Sequence, residues 1–293
     1  MPNDTIVHGI EWTVKELFVY PNEYIYWSIQ IVMYPYMTGL VAGAFVLSSL
    51  YHVFGLKQLK EIAQFSLVFS LALLPVAALP LLLHLQQPTR AMEPLLTPHF
   101  TSAIAAFGIV FTAYALIVLS EIWFVYRKYF VEQVHALKGK PGLSNAASRL
   151  VYRVLTIGAY DVDDDAIAVD KKAAKVLAAI GIPVACFLHG YAGFIFGSVK
   201  ANALWMSPLM PVIFIMSAVV SGIALCMLTY IVIREWQAFR SRRHGGMLEA
   251  KEIKGAEQDV IDTAARYLLG FLVAAISLEM LDLIFRGYTA MKS

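Results

Sequence analysis

Cysteine and charge are both scarce in this sequence. The 293 residues include only two cysteines, Cys186 and Cys226, which lie within separate apolar stretches. Two distant thiols cannot supply the four ligands of an iron–sulfur cluster or of a structural zinc site, so we expect both side chains to be unreactive packing groups. Charged residues make up 15% of the chain and the formal net charge is only +2, which does not indicate a nucleic-acid partner.

The start of the chain lacks the features of a cleaved export signal. Residues 1–24 have neither a basic start followed by an apolar core nor a small-residue cleavage site. We therefore expect the first apolar segment to be retained in the mature protein. Residues 1–24 themselves, with Ile10, Trp12, Leu17 and Phe18 available to touch lipid or a partner, are predicted to form an outer segment at the membrane interface.

Apolar residues, by contrast, are abundant. They account for 59% of the chain, and the mean hydropathy is positive, which exceeds what a soluble core of this length needs. A hydrocarbon layer about 30 Å thick is crossed by roughly 20 apolar residues in a helix. Residues 25–293 are therefore predicted to form one all-α integral membrane domain, a bundle of about six transmembrane helices. The predicted spans are 27–54, 62–85, 101–125, 176–199, 208–233 and 265–285.

Lysine and arginine are unevenly distributed among the connections. Eighteen of the 23 follow predicted spans one, three and five, and the other five lie on the opposite side. Because cytoplasmic loops carry the excess of Lys and Arg, both termini are predicted to be outside. Residues 126–172 and 235–262 would then be cytoplasmic excursions, and the first contains a predicted amphipathic helix around 150–157.

Ionisable side chains at membrane depth are costly and therefore mark candidate sites. His84, His189, Glu279 and Asp282 all fall toward the outer side of the predicted bundle, whereas Glu121 lies nearer a cytoplasmic end. We interpret the first four as candidates for a proton path or a polar pocket near the outer surface. The structural alternative is hydrogen bonding between helices, or snorkelling to the headgroups.

Aromatic and hydrogen-bonding residues gather on the same outer side. They include Tyr34 in the first span, Gln86 and Arg90 after the second, and Tyr191 and Trp205 around the fourth. Interfacial aromatic residues usually form only a belt. Here, however, separate segments bring polar groups to one face, as a pocket for an amphipathic ring with carbonyl groups requires.

Two other classes of membrane protein are compatible with these features. A b-type cytochrome needs paired histidines from facing helices at matching depth, and His84 and His189 are the pair that could meet. A secondary transporter is expected to have internal inverted repeats and broken helices at mid-membrane, but the sequence has no convincing repeat.

Several motifs are more informative together than separately. They are YMTGLVAGA at 36–44, LLLHLQQPTR at 81–90, YAG at 191–193 and WMSPLMP at 205–211. With the end of the third span they cover most of residues 24–235. This combination resembles the NrfD-type family, the membrane subunits of polysulfide reductase and related complexes.

The resemblance implies a quinone- or quinol-interacting membrane anchor of a respiratory oxidoreductase in the inner (cytoplasmic) membrane. The first four spans would form the quinone-bearing bundle, and the quinone would be menaquinone or ubiquinone. The chain itself would hold no haem or iron–sulfur cluster. Electrons would pass to or from a ferredoxin-like iron–sulfur subunit on the outer face. Through it they would reach a catalytic partner, often a molybdopterin enzyme, or a cytochrome partner.

The resemblance also implies roles for individual residues. Tyr191 takes the position of the family's quinone-binding tyrosine, and Tyr34 that of a first-helix histidine, so a hydroxyl is kept but an imidazole is lost. Gln86 falls at or near a family glutamate and cannot ionise, so His84 or His189 would carry protons. Because family members generally have eight or more spans, the chain is also expected to be short at its C-terminal end.

Overall fold

The computed structural model describes residues 29–84, 89, 91–97, 103–198, 205–243 and 247–288. Residues 1–24, Gln86 and Arg90, for which the sequence made predictions, lie outside the described residues. A 3₁₀ turn occupies Lys57–Leu59, and all other regular elements in the described part are α-helices. These are α1 (Ile29–His52), α2 (Lys60–His84), α3 (Glu93–Leu96), α4 (Ala103–Ala136), α5 (Leu143–Leu155), α6 (Asp164–Gly197), α7 (Met210–Arg243) and α8 (Met247–Tyr288).

Six of these helices are long and apolar enough to cross a membrane, namely α1, α2, α4, α6, α7 and α8. The predicted all-α membrane fold with six spans is therefore confirmed. We keep the words outer and inner for the two sides that the Lys and Arg distribution predicts.

Helix α1 is the centre of the bundle. It packs against α2, α6 and α7, while α4 packs against α6 and, over a smaller area, against α2. In the most apolar window of each helix, 67% of the residues of α1 are buried but only 11% of those of α8. Helices α1, α2, α4 and α6 thus form a four-helix bundle. Helix α7 packs beside α1 and α6, and α8 packs at the periphery, against α7.

Small residues allow α1 and α7 to approach closely. A Cβ atom added to Gly43 would lie 2.0 Å from the carbonyl oxygen of Ala218, and one added to Gly222 would lie 2.6 Å from the Cα of Gly43. Lipid tails are as apolar as the side chains, so membrane helices associate through such close backbone packing. The small-x-x-x-small spacing of Gly39 and Gly43 in the sequence is used at this interface.

The middle of the bundle is joined by one ring and two hydroxyl groups. The Phe45 ring occupies the space that a side chain at Gly181 of α6 would fill, and it lies edge-on to Tyr114 of α4 at 5.6 Å. The Tyr114 hydroxyl and the Ser70 hydroxyl both donate to the Val41 carbonyl, at 3.4 and 3.3 Å. Helices α2, α4 and α6 are therefore all fixed to α1.

The inner ends of α4 and α6 are joined by a buried ion pair. Each helix has 34 residues and is about 51 Å long at 1.5 Å per residue, longer than the hydrocarbon layer. Arg127 binds Asp170 through Nη2 at 2.7 Å, and both side chains are nearly inaccessible to solvent. The same guanidinium donates to the Asp161 carbonyl oxygen, while Asp163 caps α6 by accepting from the Ala166 amide at 2.8 Å. The closely spaced residues Asp161, Asp163, Asp164 and Asp165 thus lie just before or in the first turn of α6.

The helix predicted around 150–157 corresponds to α5, which begins earlier, at Leu143, ends at Leu155 and lies beside the inner part of α4. Trp123 donates its indole N–H to the Leu155 carbonyl at 2.9 Å, and Tyr152 packs edge-on against Tyr129 with ring centroids 6.0 Å apart. Apolar side chains on the rest of α5 are exposed. They are Leu143, Leu150, Val151 and Val154.

Candidate functional site

Tyr34 lies in the outer half of α1 and faces into the bundle. Its side chain is buried, and its ring is edge-on to Phe107 of α4 with the centroids 5.5 Å apart. Thr38, one turn deeper, is also buried and donates to the Pro35 carbonyl at 3.1 Å. Tyr34 therefore brings a phenol into the outer layer of the four-helix bundle.

His189 of α6 reaches the same helix one to two turns deeper. Its imidazole is buried and lies against α1 at Gly39, where an added Cβ atom would come within 2.8 Å of the ring carbon Cε1. Phe214 of α7 covers the ring at 5.7 Å. A methyl group at position 39 would overlap this imidazole, so Gly39 leaves room for His189 in its present position.

The Nδ1 atom of His189 is buried and has no hydrogen-bond partner among the described residues. Leaving a buried polar atom unpaired costs about 1–3 kcal/mol. A polar atom in this position can be satisfied by a water or by a bound molecule with a hydrogen-bonding oxygen. His189 is therefore a buried side chain of the outer half that can still form a hydrogen bond through Nδ1.

Aromatic rings connect His189 to Trp205, on the connection between α6 and α7. Phe214 lies 5.5 Å from Phe196, and Phe196 lies 5.3 Å from Trp205, measured between centroids. The helices that carry these rings pack closely at Gly193, because glycine has no side chain. A Cβ added there would lie 2.7 Å from the Cα of Pro211. Trp205, predicted as a site residue, is thus linked by contact to His189.

Tyr191 occupies a different face of α6. Its ring lies 5.8 Å from Phe187 and 5.6 Å from Phe194, and these two rings are 58% and 51% exposed. Residues 187, 191 and 194 share one side of a helix with 3.6 residues per turn, whereas position 189 points to the opposite side. The structure therefore does not bring Tyr191 together with His189. Tyr191 is half-buried at the lipid-facing side of the bundle.

The remaining predicted residues lie apart from this layer. His84 is half-buried at the end of α2, and Glu279 is exposed on α8. Asp282, three residues further along α8, is buried. Although Glu279 and Asp282 are only three positions apart on α8, the first carboxylate is exposed and the second is buried.

Asp282 is the centre of a group of three residues that we call the outer latch: Ser207, Asp282 and Arg286. The Ser207 hydroxyl donates to Oδ1 of Asp282 at 2.5 Å, and Arg286 Nε binds Oδ2 at 2.6 Å. Ser207 and the role of Arg286 were not predicted from the sequence. The four-residue spacing of Asp282 and Arg286 was a readable signal for the ion pair, but the bond to Ser207 depends on tertiary structure.

Glu121 also carries a buried carboxyl group, and the site prediction did not include it. It is fully buried in α4, and its Oε1 accepts from the Ser48 hydroxyl of α1 at 3.3 Å. Its Oε2 has no hydrogen-bond partner among the described residues. A glutamate inside an apolar window was the available signal, but the sequence placed it near a cytoplasmic end.

The described residues contain no group of three or more His, Cys, Asp or Glu side chains that could hold a metal ion. Cys226 is buried and Cys186 half-buried, and both thiols are free. What the outer layer offers is a phenol, an imidazole, an indole and several aromatic faces. These groups suit a neutral, ring-shaped molecule with hydrogen-bonding oxygens.

The sequence model of the family described as polysulphide reductase, NrfD, matches residues 20–289. The chain belongs to the NrfD family. As an NrfD-family protein it is a multi-pass membrane protein, and the resemblance noted in its motifs is confirmed over nearly the whole chain.

Two curated proteins are similar to this NrfD-family chain. A selenate reductase subunit of Mesobacillus selenatarsenatis is 34% identical over 215 residues, which are 71% of this chain and 49% of the relative. A putative dimethyl sulfoxide reductase membrane subunit of Halobacterium salinarum is 28% identical over 220 residues, 74% of this chain and 46% of the relative. The chain spans about half the length of these relatives.

Proposed function

We propose that this NrfD-family chain is the quinone- or quinol-interacting anchor of a respiratory reductase complex in the inner membrane. It would exchange electrons between the quinone pool and an iron–sulfur partner subunit on the outer face. Through that partner the electrons would reach a catalytic partner, such as a molybdopterin enzyme, or a cytochrome partner. The names of the two similar proteins, both of them subunits of reductases, support a role within such a complex.

The observation that carries the proposal is the unpaired Nδ1 of His189 in the outer half of the bundle. The surrounding groups are aromatic or apolar, with Gly39 on one side and Phe214 on the other. A menaquinone or ubiquinone ring has two carbonyl oxygens and an apolar body, which such a pocket would bind by one hydrogen bond and by ring contact.

The chain's own contribution would be to bind, orient and supply protons. Reduction of a quinone consumes two electrons and two protons. His189 can hold or release a proton at Nδ1, and the Tyr34 hydroxyl can donate a hydrogen bond. His84, at the end of α2, is proposed to lie on the proton route to the outer surface, and Gln86 and Arg90 stay predicted members of the pocket.

Tyr191 would contribute to a different step, the entry of the quinone or quinol from the lipid. Because it lies among exposed rings on the lipid-facing side of α6, it would meet a lipid-dissolved molecule on its way in. We therefore propose Tyr191 as an entry contact, with Tyr34 and Trp205 further inside.

The partner would have to supply the metal centres. Electron transfer over the outer face needs a cluster near the pocket, and the two cysteines of this chain cannot bind one. The predicted orientation, with the pocket toward the outside, supports an extracytoplasmic partner.

The proposal is tested by titrating the purified membrane complex with a fluorescent quinol analogue and measuring its quenching. His189→Leu and Tyr34→Phe should each weaken binding by roughly tenfold, because each removes one hydrogen bond from a buried site. Tyr191→Phe should have a smaller effect. His52→Leu is the matched control, since it removes a half-buried histidine from the inner end of α1.

Two outcomes would contradict the proposal. One is the absence of analogue binding, or binding that is unchanged by both His189→Leu and Tyr34→Phe. The other is a haem Soret band in the purified chain that disappears in His189→Leu, because it would favour the b-type cytochrome alternative. Uptake of a solute without redox change would favour the transporter alternative.

A further inference from the structure

We propose that Asp282 is a positioning residue for the outer site: through the outer latch it fixes residues 205–209, which precede α7 and include Trp205. This inference rests on the proposed function, because it assumes that Trp205 lines the quinone pocket. Asp282 itself would not touch the bound molecule.

The two carboxylate oxygens of Asp282 are both engaged. Oδ1 accepts from Ser207 at 2.5 Å, and Oδ2 binds Arg286 at 2.6 Å. The side chains of Arg286 and Asp282 are only 13% and 9% exposed. A buried carboxylate that is paired with a guanidinium and bound to a hydroxyl is held in one geometry. This arrangement suits fixing a neighbouring segment better than passing protons, the role that the sequence suggested for Asp282.

Ser207 also forms hydrogen bonds with the backbone around it, so its bond to Asp282 restrains that backbone. Its hydroxyl also accepts from the Leu209 amide at 3.2 Å, and its carbonyl accepts from the Met210 amide at 3.2 Å, where α7 begins. Its carbonyl oxygen also lies against α6, 2.9 Å from where a Cβ at Gly197 would be. Ser207 is therefore held by α6, α7 and α8 together.

Trp205 lies two residues before Ser207, so its backbone position depends on that anchor. Its indole packs against Phe196, and Phe196 packs against Phe214, the ring that covers His189. Loss of the Ser207–Asp282 bond would release the connection and let the indole leave this stack. The effect would reach the pocket without any contact between Asp282 and the ligand.

Helix α8 otherwise contributes little to the outer site. It packs mainly on α7, and its other outer carboxylate, Glu279, is exposed. Asp282 is thus a point at which α8 contacts the segment that carries the proposed pocket. The geometry assigns this peripheral helix a role in positioning the site.

The test is a double-mutant cycle on quinol-analogue binding in the membrane complex, combined with hydrogen exchange of the Leu209 amide. Asp282→Ala should weaken binding by roughly tenfold, the fold-change of one lost hydrogen bond to a charged group. In a Trp205→Ala background it should have no further effect, because the residue through which it acts is gone. Asp282→Asn, which keeps an acceptor for Ser207, should recover part of the binding.

The matched control is Asp262→Ala, which removes an exposed carboxylate from the inner part of the same helix. Faster exchange of the Leu209 amide in Asp282→Ala, but not in Asp262→Ala, would support the latch even if the complex bound no analogue. If exchange becomes faster but no analogue binds, the positioning role stands and the proposed function is refuted. Unchanged exchange, or equal weakening of binding by Asp282→Ala with and without Trp205, would overturn the positioning role.

Discussion

Replacing Asp170 by alanine should destabilise the protein by about 3 kcal/mol or more, because it leaves the guanidinium of Arg127 buried without its counter-charge. The pair is bidentate: Nε of Arg127 lies 3.0 and 2.9 Å from the two carboxylate oxygens, and Nη2 lies 2.7 Å from one of them. The two side chains are 5% and 11% exposed, so water cannot readily replace the lost partner.

The neighbouring pair on the same helix turn gives the control. Lys128 and Glu132 are 3.9 Å apart, and their side chains are 55% and 56% exposed. Such solvent-exposed pairs contribute only about 0.3–0.5 kcal/mol. Glu132→Ala should therefore leave the free energy of unfolding almost unchanged.

The two changes can be compared by unfolding the protein reversibly in mixed micelles and following its helix content. The double variant Arg127→Met with Asp170→Leu should lose less stability than Asp170→Ala alone, since no unpaired charge is then buried. It still leaves the Asp161 carbonyl without its donor, at about 1 kcal/mol for a lost hydrogen bond. A loss below about 1 kcal/mol for Asp170→Ala would refute the claim that the pair is buried and joins α4 to α6.

Two further changes test the packing elsewhere. Gly43→Ala should cost about 1–3 kcal/mol through overpacking, because the added methyl would lie 2.0 Å from an α7 carbonyl; Gly270→Ala, where nothing lies within 4 Å, should be neutral or stabilising in the same unfolding assay. Trp123→Phe removes the donor to the end of α5, so amides of residues 143–155 should exchange faster by mass spectrometry. An unchanged exchange rate there would mean that α5 is held by other contacts.

The span count could be predicted from the sequence because lipid imposes a clear rule on it. About 20 apolar residues are needed per crossing, and the windows ending near Phe54 and Phe285 meet that rule. The inner extensions could not be predicted in the same way. Beyond the predicted span, α4 continues to Ala136 with polar residues, and one of its contacts there is the ion pair of Arg127 and Asp170, which are 43 positions apart in sequence.

The candidate site was predicted only in part because helix phase and tertiary contacts decide which groups meet. The sequence contained both Tyr191 and His189, but residues two positions apart on a helix point about 200° apart in direction. The rings of Phe187 and Phe194 lie on the same face as Tyr191, and this pattern alone favours a lipid-facing side. The contact between His189 and Gly39 depends on how α1 and α6 cross. No local sequence pattern encodes this crossing.

Helix α1 has different contacts in its outer and inner halves. Its outer half presents Tyr34 and leaves room at Gly39 for the imidazole of His189, so it has groups that can bind a ligand. Its inner half is mostly packed: Gly43 touches the α7 backbone, and Ser48 donates to Oε1 of Glu121, whose Oε2 has no partner among the described residues. In the proposed function, a ligand from the lipid would bind in the outer half, beside Tyr34 and His189. Changes in the outer half of α1 should therefore alter ligand binding before stability, whereas changes in the inner half should alter stability first.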